Sequence, residues 1–360
     1  MAMRPLSKWG LGALVVCGLS AAGWYLLADR PLHPGVKTFH LPTGTTMRAF
    51  AELLQRRHVI DSANTFVALA ELTGEGDALK TGVYRFPDPT TPLGILHRVV
   101  TGQVVEYPLT LVPGWTFHQV RQALARAPHL TDDVGGRSHA AVRAALHMHA
   151  SLQGAFFPDT YYYTYGASAT SVLARARKRL RALLGKDWRK RAPDLPLRTP
   201  QQALILASLI EKETAKAGER RKIAGVFVNR LRLGMRLETD PTVIFSLGKR
   251  YHGVLTSTDL AYPSPYNTYL HYGLPPTPIG LCSARTLYAA LHPDKTRALY
   301  FVATGRGGHV FSDTLQAQDE AIRKYEIDST PPAVVPESRG ARRVGQDHAN
   351  RSRRRLLRTP

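Results

Sequence analysis

Cysteine is nearly absent: Cys17 and Cys282 are the two in 360 residues. Cys17 falls inside an apolar N-terminal stretch, which argues on geometry against a bridge to Cys282. A disulfide framework and a Cys/His metal-ligand spacing are thereby excluded, and Cys282 reads as a buried structural thiol. The sequence also has no G-x-S-x-G elbow, no phosphate-cradling glycine loop and no zinc pattern. Serine hydrolases, nucleotide enzymes and zinc peptidases are removed as simple readings, and no metal or cofactor is implied. Acidic residues are scarce, 27 Asp and Glu against 48 Lys and Arg, a formal net charge of +21. Apart from residues 9–28 there is no long apolar run, so a polytopic membrane protein is excluded, while 44% hydrophobic residues suffice for a core.

The positive charge is unevenly placed. Eight arginines fall between 339 and 358 (Arg339, Arg342, Arg343, Arg351, Arg353, Arg354, Arg355 and Arg358) in a segment with few apolar residues. Such a run reads as a solvated tail over 328–360. The remaining excess suits any polyanion: nucleic acid, anionic lipid or an acidic wall polymer.

Residues 9–28, WGLGALVVCGLSAAGWYLLA, carry no charge and match the ~20 residues that span a bilayer as a helix. Trp9, Trp24 and Tyr25 stand near its ends, and Arg4 and Lys8 precede it. The positive-inside bias keeps residues 1–8 cytoplasmic and exports the rest. A cleaved signal peptide is the competing reading, but the apolar run continues through Leu26, beyond a usual signal core. A lipoprotein would want a small residue before Cys17, and Val16 stands there. Export weighs against DNA or RNA as substrate, so no nucleic-acid partner is expected.

Behind a Pro/Gly linker, residues 37–105 read as a small α+β module. It has a strand at FHLP, a helix whose Phe50, Leu53 and Leu54 share a face, and a second helix capped at Ser62 or Asn64. A strand follows at Gly82–Phe86, then a helix around 92–100. It holds no cluster of chemistry-bearing residues. Residues 106–327 alternate strands, helices and Pro/Gly-rich loops. Tyr107–Val112 is strand-like, residues 201–233 are mostly helical, and LYFV and HVF form a hairpin over 299–311 before a closing helix near 316–325. The fold class expected is α+β throughout.

One helix stands out. Leu206, Leu209, Ile210 and Glu213 are spaced i, i+3, i+4, i+7, so Glu213 continues an apolar ridge. Glu211 lies about 200° around the helix and points elsewhere. A carboxyl held against apolar surface resists ionisation, as a general acid at neutral pH must. The plainer alternative is that both glutamates are solvated, or that Glu213 pairs with Arg220 or Arg221. Asp240-Pro241 reads as a helix cap followed by proline. Tyr266-Asn267-Thr268-Tyr269 and Gly273-Leu274-Pro275-Pro276 are rigid loops offering amide, hydroxyl and aromatic groups, as sugar sites and ordinary loops both do. His309 sits on the hairpin and is equally readable as a surface residue.

IEKETAKAGERRKIAGVFVNRLRLGMRLETDPTVIFSLG, then SPYNTYLHYGLPPTPIG and LYFVATGRGGHVFS, resembles the endolytic murein transglycosylase family, the YceG-like proteins. GAFFPDTYYYT, LVPGWT and the TGVYRF of the small module extend the resemblance to residues 9–327. It implies one membrane helix, a LysM-like module at 37–105 and a YceG-like catalytic domain at 106–327. It further implies a single-pass inner-membrane protein with its catalytic domain on the periplasmic side. The implied catalytic residue is the second glutamate of E-K-E-T, Glu213. The implied reaction is non-hydrolytic cleavage of the N-acetylmuramic acid–N-acetylglucosamine β-1,4 bond of peptidoglycan, closing a 1,6-anhydro ring and terminating strand elongation. Tyr266, Asn267 and Thr268 match the family's Y-N-T; with Glu238, Asp240 and His309 they are the candidate substrate-binding residues. Glycan strands are the implied partner, with peptidoglycan synthases beside them. The chain departs from the family pattern at Gln153, where a glutamate is usual, at Leu281-Cys282-Ser283 after GLPP, and at Gln318-Asp319 in place of a His-Asn pair. Two other readings stay open at this point: a glycan-binding scaffold without activity, and a hydrolytic muramidase.

Overall fold

The computed structural model describes residues 28–29 and 38–328. The expected membrane span, except its last residue, and the arginine-rich tail beyond 328 lie outside the described residues. No helix among the described residues is long and apolar enough to cross a membrane. The architecture is mixed α+β, in two compact units.

The smaller unit comprises the chain up to Pro108 together with 128–131 and 162–167. Strand β1 (Thr38–Leu41) pairs antiparallel with β2 (Gly82–Arg85), Phe39 opposite Tyr84. Between them run α1 (Met47–Arg56) and α2 (Ala63–Leu72), and α3 (Pro92–Thr101) follows. Hydroxyl caps start all three: Thr46, Ser62 and Thr91 each accept an amide of the first turn. Ser62 is thus the cap of α2, and Asn64 lies inside the helix. Phe50, Phe66, Tyr84 and Phe86 are buried at the centre, with the Phe50 and Phe66 rings edge-to-face at 6.1 Å. In β2 both Val83 and Tyr84 are buried, so strict alternation fails there. The Tyr84 hydroxyl tolerates burial by donating to the Lys80 and Val99 carbonyls.

The larger unit is built around one helix. Strands β3 (Glu106–Thr110) and β4 (Thr160–Thr164) are each divided between the two units, and α4 (Phe117–Arg126), α5 (His139–Ala145) and α6 (Ala169–Arg189) lead up to α7 (Pro200–Glu213). Thr199 and Gln202 close a capping box, Pro200 occupies the first turn, and the run Ala203–Ile210 is buried on every side. A helix apolar all round belongs at the centre of a core. Helices α8 (Arg220–Arg232) and α11 (Ala284–Leu291) pack against it; α9 (Asp240–Leu247) and α10 (Ser257–Leu260) come between them in sequence. The hairpin β5 (Tyr300–Ala303) and β6 (His309–Ser312) pairs Tyr300 with Ser312, and α12 (Leu315–Asp328) packs on it. Cys282 is buried and unbridged, and burial pushes its thiol up to about 12, which makes it inert.

Candidate active site

The site grows from the last residue of α7. The helix carries Leu206, Leu209 and Ile210 into the core and delivers Glu213 at the end of the same ridge. Glu213 pairs with neither Arg220 nor Arg221; Arg221 bonds Asp294 instead, at 3.0 Å. The Glu213 Oε1 accepts a hydrogen bond from the Thr239 hydroxyl. Desolvation pushes its carboxyl from the ordinary 4.5 up to about 7. The Thr239 bond works the other way by favouring the ionised form, Asp240 adds to the rise, and Arg230 opposes it.

Glu211, two residues earlier, has a different task. Its Oε2 accepts the Ser283 amide and hydroxyl, each at 2.8 Å, and the Thr286 hydroxyl. It therefore satisfies donors at the N-terminus of α11, where a carboxylate is favoured. The helical offset read from the sequence separates a structural glutamate from a chemically available one.

A correction concerns Asp240. The residue preceding α9 is Thr239, not Asp240, and its hydroxyl serves Glu213 instead of capping the helix. Asp240 lies in the first turn and accepts the Tyr269 hydroxyl at 2.6 Å. Burial and the Asp240 charge raise the proton affinity of Tyr269, with Glu213 and Glu238 adding smaller contributions. Glu213, Thr239, Asp240, Tyr269, Glu238 and Arg230 thus form one electrostatic cluster.

Glu238 turns the chain into this position with φ at +47°, a left-handed conformation that a non-glycine residue holds at a cost. Its amide bonds the Thr268 carbonyl at 3.2 Å, and its exposed carboxylate lies 3.2 Å from Arg230 Nη1. Arg230, 7% exposed, also donates from Nη1 to the Arg236 and Leu237 carbonyls and from Nε to that of Leu299.

Asn267 and Thr268 are buried with their polar groups engaged inside the protein. Asn267 donates to the Leu260 and Tyr262 carbonyls and accepts the Tyr269 amide. The Thr268 hydroxyl accepts the Thr239 amide at 3.0 Å and lies 2.9 Å from Thr242 Oγ1. Neither presents a side chain to solvent, so the expectation of direct substrate contact gives way to a positioning role beneath Thr239. Tyr266 is half-buried, its hydroxyl 2.9 Å from Thr277 Oγ1 and its ring 4.9 Å from that of Phe245. His309 Nδ1 lies 2.7 Å from Glu219 Oε2, which ties the hairpin to the segment after α7. Sequence reasoning overlooked Thr239, Tyr269 and Arg230. All three stood inside the quoted motifs; for Arg230 a further signal was its place beside the apolar face of α8.

The departures from the family pattern lie outside this cluster, Gln153 and Leu281 in loops and Gln318 in α12. Gln153 Oε1 accepts the Phe117 amide at 2.8 Å, while its buried Nε2 has no partner. The Gly114 amide donates to Leu281 and the Leu281 amide to Trp115, at 2.7 and 2.8 Å. A Cβ at Gly280 would stand 2.7 Å from the Gly114 carbonyl oxygen, so glycine is needed for this approach. Gln318 is buried, donating to the Phe301 carbonyl and leaving its Oε1 unpartnered. Among the described residues no group of three His, Cys, Asp or Glu is arranged to hold a metal ion.

The chain belongs to the YceG-like family, whose model matches residues 39–324. It is 28% identical over 342 residues to an endolytic murein transglycosylase of Bacillus subtilis strain 168, covering 87% of this chain and 91% of that protein. It is 25% identical over 318 residues to an endolytic murein transglycosylase of Streptococcus pneumoniae, covering 76% of this chain and 55% of that one. The chain thus spans about half the length of the pneumococcal relative. A solved YceG-like protein of Listeria monocytogenes is 28% identical, covers 79% of this chain and 97% of its own, and superposes with a TM-score of 0.49.

Proposed function

We propose that the chain is an endolytic lytic transglycosylase of peptidoglycan, with Glu213 as its one acid/base. The observation that carries this reading is the Glu213 carboxyl itself, pushed up to about 7 at the end of an apolar ridge and contacted by one hydroxyl. At neutral pH such a group exists in both protonation states, which a residue that must give and then take a proton requires. Protonated Glu213 donates to the glycosidic oxygen as the muramyl C1–O bond breaks. The muramyl 6-hydroxyl then closes onto C1, and its proton returns to the Glu213 carboxylate. No water is consumed, and the product ends in a 1,6-anhydro sugar. The names of the Bacillus and Streptococcus relatives support the substrate class. Residues 9–28 would anchor the chain in the inner membrane with the catalytic unit outside. The 37–105 unit would be the LysM-like glycan holder, and cleavage near synthases would end strand growth.

A hydrolytic reading has one observation in its favour: the Asp240 carboxylate is near enough to raise the Glu213 proton affinity, and ordinary glycosidases use two carboxyl groups. Mass spectrometry of products from uncrosslinked strands separates the readings. Anhydro-muramyl ends support the lyase; reducing ends would establish the hydrolase, and no product despite binding would leave a scaffold.

The pH profile is a further expectation. The first step needs protonated Glu213, so kcat/KM falls above about pH 7, the value to which burial lifts the group. Thr239→Val removes the hydrogen bond that favours the carboxylate, which moves this limb to higher pH. A limb that stays in place or moves down would contradict the assignment.

A further inference from the structure

A cleft of about 420 Å³ is lined by the end of α6 (Asp187), the start of α8 (Arg220, Arg221, with Ala217 just before it) and α11 (Ala284, Arg285, Tyr288 and Ala289). That volume lies within the roughly 300–1,000 Å³ usual for small-ligand sites. Its charges are incompletely compensated. Arg221 is paired with Asp294 and donates to the His292 carbonyl. Arg220 has one long contact, 3.5 Å to the Ala215 carbonyl, and its buried Nε has no partner. Arg285 is exposed and has no ion pair or hydrogen bond among the described residues. Arg220 and Arg285 both stand in the first turns of their helices, α8 and α11, where a cation opposes the helix dipole. Helix stability therefore gives no reason for these arginines, and the one acidic lining residue is Asp187.

The placement matters for the reaction. Glu211 grips the N-terminus of α11 through Ser283 and Thr286, and the cleft-lining Ala284 and Arg285 are the next residues of that helix turn. Glu211, two residues before Glu213, thus ties the end of α7 that carries the candidate acid to the helix that forms one wall of the cleft. A peptide of four or five residues reaches roughly 13–17 Å when extended, longer than the ~10–12 Å width of a helix. Guanidinium groups recognise carboxylates through paired hydrogen bonds, and alanine walls with the half-exposed Tyr288 ring accept small aliphatic side chains.

We propose that this cleft is a subsite for the free carboxylates of the uncrosslinked peptide stems carried by the glycan. The proposal rests on the glycan-cleaving function given above. The substrate then consists of a glycan bond at Glu213 and an acidic, alanine-rich peptide at Arg220 and Arg285, so crosslinked strands, with fewer free carboxylates, are poorer substrates.

The test uses the full chain in detergent and a dye-labelled free stem peptide ending in an alanine carboxylate, followed by fluorescence anisotropy. Arg285→Ala and Arg220→Gln are each expected to weaken binding about tenfold or more, as loss of a charge-assisted hydrogen bond does. The peptide with amidated carboxyls should bind correspondingly worse. Thermal melting checks that the variants fold; Arg285, being exposed, is the safer of the two. Equal binding of the amidated peptide, or unaltered binding by Arg285→Ala, overturns the proposal. So does displacement by inorganic phosphate at concentrations where acetate has no effect, which would mark a phosphate site. In cleavage assays, KM for stem-bearing strands should be lower than for strands stripped by an amidase, and Arg285→Ala should bring the two KM values together. If neither strand is cut but the peptide binds, the proposed function fails and the subsite stands; if strands are cut and the peptide does not bind, the reverse holds.

Discussion

Glu213→Gln is expected to abolish glycan cleavage and, above neutral pH, to make the protein more stable. A positioned acid/base contributes roughly 10²–10⁴-fold to rate. Because one group serves both proton transfers, the loss should fall at the upper end, measured as anhydro-product formed per unit time. The stability effect follows from the same environment. The folded-state carboxyl is lifted above its ordinary 4.5 to about 7, so folding holds a proton that the unfolded chain releases between those values. Stability is full below about pH 4.5, declines as pH rises to about 7, and stays reduced beyond. At 1.36 kcal/mol per tenfold change in proton affinity, the reduction is about 3 kcal/mol. Glutamine has the same shape, keeps an oxygen for the Thr239 hydroxyl and never ionises. Its melting temperature should match the parent at pH 4, diverge through pH 5–7, and stay several degrees higher at pH 8. A difference independent of pH would mean that Glu213 ionises as an ordinary surface carboxyl, and the assignment of its chemistry would fall with it.

Much of this site is legible along the chain because its core is local. The ridge Leu206, Leu209, Ile210 and Glu213 is a property of one helix, and periodicity finds it. The opposite task of Glu211 follows from the same periodicity. Caps such as Thr46 and Ser62, and the turn between LYFV and HVF, are likewise short-range chemistry. What local pattern could not give is which hydroxyl meets the carboxyl. Thr239 is 26 residues from Glu213, and the motif ETDPT gave more reason to choose Asp240, a common capping residue before proline. Asn267 and Thr268 look like binding groups because amides and hydroxyls in a loop serve both purposes. Burial decides between those purposes, and burial is a tertiary property. Arg230 was hidden because a long cation on a helix usually reaches solvent. Here its partners are carbonyls of the 236–237 segment and of Leu299, 69 residues on.

Those partners make Arg230→Met the second large expected effect, this time on stability and on the acid/base together. Methionine fills much of the volume but donates nothing, so the Leu299, Arg236 and Leu237 carbonyls lose their donor. Leaving buried acceptors unpaired costs about 1–3 kcal/mol each where water cannot replace the donor. The Glu238 share is small, since that carboxylate is 43% exposed and can turn to solvent. Losses of roughly 3–5 kcal/mol are expected, in the range for breaking a buried charged network, and read as a lowered denaturation midpoint with an unchanged slope. The chemical consequence is separable. Arg230 favours ionised Glu213, so without its charge the group holds its proton more tightly. The 236–239 segment also loses the anchor that presents the Thr239 hydroxyl. Both effects move the descending limb of kcat/KM to higher pH. An arginine that merely braced the fold would lower the midpoint and leave that limb in place. Arg230→Lys distinguishes the two contributions: it keeps the charge near Glu213 but lacks the fork that serves several carbonyls at once. It should destabilise the fold while leaving the pH limb close to that of the parent.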